Sequence, residues 1–144
     1  MLNEIIDGMS EAIHAGFGEQ YPIYTDVNKQ GLTEPCFSIF PLQPRQKQVL
    51  GARYFKQNPM CVNYFPSPNA EDSEKYEVIE KLFSTLEYIT CNGDLLRGTN
   101  MNAEVSDGVV VFNVNYNFYV RRVPADETDM EDLEVRGSVN DKEI

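Results

Sequence analysis

Apolar residues fall at every second position through residues 109–122: Val110, Phe112, Val114, Tyr116, Phe118 and Val120. Between them stand Asn113, Asn115 and Asn117, and Tyr119 and Arg121 continue the same side. A strand sends successive side chains to opposite faces, so this stretch predicts one dry face and one amide-rich face. It is the longest clean period-2 run in the chain, and its β-branched and aromatic residues suit a strand. It reads as the central strand of an antiparallel sheet.

The remaining pattern predicts the elements around it. Leu2, Ile5, Ile6, Met9, Ile13 and Phe17 recur at helical spacing, with Glu4, Asp7 and Glu11 on the other face. Asn3 is the candidate cap, and Gly16 and Gly18 end the helix. Residues 21–24 read as a short strand that Pro22 restricts to an edge or a strand start. Residues 26–34 form a polar turn containing Gly31, and a second strand opens after Pro35 and closes at Pro41. The two strands predict a hairpin with an irregular connection. Residues 44–51 read as a basic loop. A further strand runs from about Ala52 to Pro66, and Pro59 predicts two short strands or a bulge. Met60, Val62 and Tyr64 share a face of its second half.

Asp72 or Ser73 can cap a second helix whose inward stripe is Tyr76, Ile79, Glu80, Phe83 and Leu86, widened by Val78 and Leu82. Glu77 and Lys81 have the favourable i,i+4 order. The Cys91-Asn-Gly-Asp stretch breaks the pattern, residues 95–105 read as a strand weakened by Gly98, and Ser106-Asp-Gly is a tight turn into the long strand. The expected order is α-β-β-β-α-β-β plus a tail. That is an α+β fold, an antiparallel sheet with two amphipathic helices packed on one face. Residues 1–124 form one domain. Residues 125–144 form an acidic tail in which Leu133, Val135 and Val139 alternate, either a solvated segment or an extra strand for a sheet edge or a neighbouring chain.

Charge divides the chain. The net charge is −11. The tail holds eight acids against Arg136 and Lys142, whereas residues 35–70 hold no acid and carry Arg45, Lys47, Arg53 and Lys56. That basic stretch is either a protected strand edge or a surface for an acidic partner or nucleic acid. The amide face of the long strand is either simply wet or a polar contact between proteins, where full charges would be costly to desolvate.

Candidate chemistry is sparse. His14 is the one histidine, and Cys36, Cys61 and Cys91 are widely spaced without a CxxC pair, so the cysteines read as small buried hydrophobes and no metal or cofactor is expected. No nucleophile–base motif, phosphate loop or dinucleotide fingerprint occurs. No apolar run is long enough to span a membrane, and the first residues lack the bases of a signal peptide, so synthesis in the cytoplasm is expected.

Several phrases carry a resemblance. The opening MLNEIIDGMSEAI, then YPIYTD, QGLTEPCFSIF, LGARYF, MCVNYFP and the final alternating strand are similar to the tail terminator family of long-tailed phages and prophages of Gram-positive bacteria, over about residues 1–123. The resemblance implies a structural subunit and no enzyme. It implies a ring, a hexamer, that caps the tail tube, stops its polymerisation and offers the surface that joins tail to head, with DNA passing through the lumen. The implied partners are further copies, the tail tube protein and a head-completion protein, in the virion. The family supplies no functional residues, so the candidate contacts come from charge and pattern: Arg45, Lys47, Arg53, Lys56, Asn113, Asn115, Asn117, Tyr119, Leu133 and Val135. The opposite charges suggest that the tail of one subunit docks near the bases of the next. A neck connector, or a nucleic-acid module stacking bases on Tyr54, Phe55, Tyr64 and Phe65, are the competing classes.

Overall fold

The computed structural model describes residues 1–26 and 32–122 and the backbone of residues 133–136. Helix α1 (Leu2–Phe17) buries Ile5, Met9 and Ile13 completely. It begins two residues earlier than Asn3 capping would require, because Leu2 already packs against the core. Asn3 lies inside the first turn, no side chain caps that end, and Glu4 pairs with the Met1 ammonium at 3.0 Å. Gly18 closes the helix at φ 109°, donating its N–H to the His14 carbonyl, whereas Gly16 remains inside.

Helix α2 (Asp72–Thr85) starts after Glu71 and buries Val78 and Leu82, with Leu86 just beyond its end. Its buried stripe is turned relative to the sequence expectation: Tyr76 is 57% exposed and Glu80 is exposed, while Ile79 and Phe83 flank the core. Apolar residues on both sides of the true stripe allow the pattern to be read in two rotations, and contact with the sheet selects one.

The strands are β1 (Ile23–Tyr24), β2 (Cys36–Pro41), β3 (Arg45–Leu50), β4 (Arg53–Gln57), β5 (Pro59–Phe65), β6 (Tyr88–Cys91), β7 (Asp94–Ser106), β8 (Val109–Tyr116), β9 (Phe118–Arg122) and β10 (Leu133–Arg136). They form two sheets, β1-β2-β5-β8-β7-β6 and β10-β9-β4-β3. The first is the body. Both helices lie on its one apolar face, where Phe37, Ile39, Met60, Val62, Tyr64, Val110, Phe112, Val114 and Tyr116 meet Ile5, Met9, Ile13, Leu82 and Leu86. The α+β architecture is therefore as expected, and β8 sits inside the body sheet between β5 and β7.

Several local expectations are corrected. β1 and β2 pair in parallel, so they are not a hairpin. A parallel pair needs a crossover, and the connection between them is far longer than a hairpin turn. Residues 27–31 of that connection, including the expected Gly31 turn, lie outside the described residues. The basic stretch expected as a loop is β3, exposed along its whole length. An edge strand with both faces wet needs no apolar alternation, which is why its composition concealed it. β6 was absent from the expected order. Ile89 and Cys91 are its buried positions, and Asn92 (φ 54°) and Gly93 (φ 83°) form the two-residue turn into β7. Asp107 (φ 52°) and Gly108 (φ 78°) make the equivalent turn between β7 and β8. Finally, the long strand is two strands. It leaves the body sheet at Asn117 and continues as β9 in the second sheet.

Candidate functional site at the basic arm and amide face

The second sheet, called the arm below, meets the body where two strands change sheets side by side. β4 passes into β5 at Asn58, and β8 passes into β9 at Asn117. Both asparagines are buried, 5% and 8% exposed. The Asn58 backbone N–H donates to Asn117 Oδ1 at 3.1 Å, the Asn58 side-chain amide donates to the Tyr116 carbonyl at 2.9 Å, and the Tyr116 N–H donates to the Asn58 carbonyl at 3.0 Å. These bonds replace the ladder bonds that both strands lose at the crossing. Tyr116 also donates its hydroxyl to the Leu86 carbonyl at 2.6 Å, tying the junction to the end of α2, and burial pushes its phenol well above the ordinary range.

The arm collects charge from distant parts of the chain. β3, β4 and β9 contain Arg45, Lys47, Arg53, Lys56, Arg121 and Arg122, half of the chain's 12 bases, and no acid. The register assigns their faces. Lys47 pairs with Phe55, Phe55 with Tyr119, and Arg53 with Arg121, so Arg45, Lys47, Arg53 and Arg121 share one face with the Phe55–Tyr119 ring pair. Those rings lie 5.0 Å apart, and the Arg53 guanidinium stands 5.2 Å from the Tyr119 ring. Lys56 is on the opposite face with Arg122, whose guanidinium lies 5.2 Å from the Tyr54 ring. Stacking holds each guanidinium plane in place without neutralising it. The four bases expected from the sequence are thus brought to one sheet and divided between its faces. Arg121, which the sequence placed only on the amide side of the long strand, and Arg122 complete them. Their signal was a pair of adjacent bases at the end of an apolar run, legible as arm residues only once the long strand is known to change sheets.

The amide series is divided as well. Asn113 and Asn115 are partly exposed on the open face of the body sheet, and the Asn113 side-chain amide donates to Asn102 Oδ1 at 3.1 Å. Ser38, Phe40, Asn63 and Val111 lie on the same face and are partly exposed, so it is polar with apolar patches and little charge. Asn117 is engaged inside the junction, and Tyr119 belongs to the arm. Leu133 and Val135 lie in β10, whose backbone pairs antiparallel with β9 opposite Arg122 and Val120. Their side chains and the rest of the tail lie outside the described residues.

The groups that could carry chemistry are placed elsewhere. Cys36, Cys61 and Cys91 are buried free thiols, and burial pushes each of them up, away from the reactive thiolate. The His14 ring lies 3.1 Å from the Tyr21 carbonyl. Among the described residues, no three His, Cys, Asp or Glu side chains are grouped to hold a metal ion, and no helix is long and apolar enough to cross a membrane.

An α+β subunit with a charged arm and an open amide face is the class of protein that these surfaces define. The chain belongs to the phage tail terminator protein family, whose model matches residues 4–128. That family is a structural family of phage tails and not an enzyme family, which gives the chain a structural role in a phage tail, among other tail or head proteins. No curated protein matches the chain.

Proposed function

We propose that the chain is a ring-forming subunit, a hexamer, that caps the tail tube, stops its polymerisation and presents the surface to which the head attaches. The observation that carries this reading is the family match, which runs from the first turn of α1 through β9. The surfaces support it. A closed ring of identical subunits requires two different, complementary patches on each copy, and the arm and the open amide face are chemically unlike each other. In this reading Arg45, Lys47, Arg53, Lys56, Asn113, Asn115 and Tyr119 serve contacts between copies or with the lumen, through which DNA passes without sequence readout. Residues 1–124 form the ring domain, with no catalytic role. The acidic tail, through the strand holding Leu133 and Val135, closes the β9 edge in its own chain or in a neighbour. The subunit is made in the host cytoplasm and resides at the junction of tail and head.

Co-assembly with the tail tube protein tests the proposal. Electron microscopy is expected to show tubes bearing a ring at one end and limited in growth, and unlimited tubes when the chain is left out. Tubes of the same length distribution with and without the chain would overturn it. A ring found on the portal side instead would assign the chain to the neck connector.

A further inference from the structure

We propose that the basic face of the arm docks on the acidic face of α1 in a second copy of the chain. The inference rests on the ring reading and adds which surfaces meet. Each surface gathers charges of one sign. On the arm, Arg53 and Arg121 are directly opposed across the ladder, and like charges at that position weaken a sheet. β3, β4 and β9 hold no acid; Arg121 has Glu134 of β10 as its register partner on the other side, whereas Arg53 has only Leu50 there. On α1, Asp7 and Glu11 are exposed at i,i+4 spacing, where like charges weaken a helix, and the helix contains no Lys or Arg.

Shape and polarity favour a protein partner over nucleic acid. The arm's cations surround the Phe55–Tyr119 pair, and Leu50, paired opposite Arg53 at the tip, is 75% exposed beside Val49 at 49%. A phosphate backbone would satisfy the cations and leave that apolar tip in water, whereas a protein surface covers both. The acceptor is concave. Glu4, Asp7 and Glu11 form one wall of a groove of about 270 Å³, and Thr90, Asn92 and Gly93 at the β6–β7 turn form the other. Within one copy the root of the arm does not use these acids: Arg45 and Lys56 line a cleft with Met1, Leu2 and Asn3 that has no carboxylate in its walls. The arm and the groove are different patches, so the contact is head-to-tail and repeats from copy to copy, as a ring requires.

Sedimentation or light scattering of the full chain at low and high salt tests the docking. The variants are Arg45→Glu with Lys47→Glu, Asp7→Lys with Glu11→Lys, and all four together, each checked for folding by circular dichroism. Each pair of reversals is expected to weaken self-association about tenfold at low salt, and the fourfold variant is expected to recover it, which a misfolded protein could not do. Unchanged association for either pair, no recovery in the fourfold variant, or a wild-type chain that stays monomeric at every salt concentration would overturn the proposal. So would an arm variant that assembles normally and loses only retention of a duplex DNA fragment. If assembly follows the charges while tubes remain uncapped, the docking stands and the terminator function fails. If tubes are capped and assembly ignores the charges, the reverse holds.

Discussion

Asn58 and Asn117 show how one pair of side chains can decide the course of two strands. Removing the Asn117 carbonyl leaves the buried Asn58 N–H without its acceptor, a loss of about 1–3 kcal/mol. Asn117→Ala is therefore expected to lower the unfolding free energy obtained from a urea titration by that amount, whereas Asn115→Ala on the partly exposed face should change it by less than about 0.5 kcal/mol. The spacing of the asparagines in the sequence makes them look alike, and burial separates them. Tyr116 gives a second test. Burial raises its folded ionisation above the ordinary 10.0, so its contribution is intact below pH 10 and is lost as pH rises beyond it, when the unfolded chain ionises first. Stability is expected to be flat near neutrality and then to fall by about 1.4 kcal/mol per pH unit from this group. Tyr64 is raised in the same direction, by burial first, so Tyr116→Phe should remove part of the alkaline loss and leave the rest.

At the level of elements, the turns and the apolar stripes were legible in the sequence because they are local. Pro59 does begin a new strand, and Ser106-Asp-Gly does form a turn. Asn92-Gly93 carries the same hairpin signal, but β6 before it is only four residues long, too short for a clear alternation. Gly98 read as a weak point in a strand, and its reason is space. A Cβ there would stand 2.7 Å from Val114 Cγ2 and 2.8 Å from the Leu86 carbonyl oxygen, where β7 passes the end of α2. Gly98→Ala is expected to cost about 1–3 kcal/mol, measured as a lower midpoint in thermal or urea unfolding, although alanine favours regular structure more than glycine does.

For the whole molecule, the charge distribution matters more than the total. A net charge of −11 disfavours polyanion binding overall, yet the arm is positive throughout β3, β4 and β9. Opposite charges on separate patches make association sensitive to screening. Raising salt from about 0.05 M to about 0.5 M, which shortens the screening length severalfold, is expected to shift the oligomer towards smaller species, measured by native mass. An oligomer held mainly by the open amide face would be nearly indifferent to salt.

The sequence by itself determined the two helices, the dry faces of the strands, the tight turn before β8 and the acid-free stretch, because each is a property of neighbours along the chain. It could not place the boundary at Asn117, since Phe118 and Val120 keep the same alternation after the strand has changed sheets and both are buried. Nor could it bring Arg121 opposite Arg53, or set β1 parallel to β2. Alternation specifies which face of a strand is dry and leaves open which strand lies beside it. That pairing is settled only when distant segments compete for the same core, and here the competition assembled the basic arm.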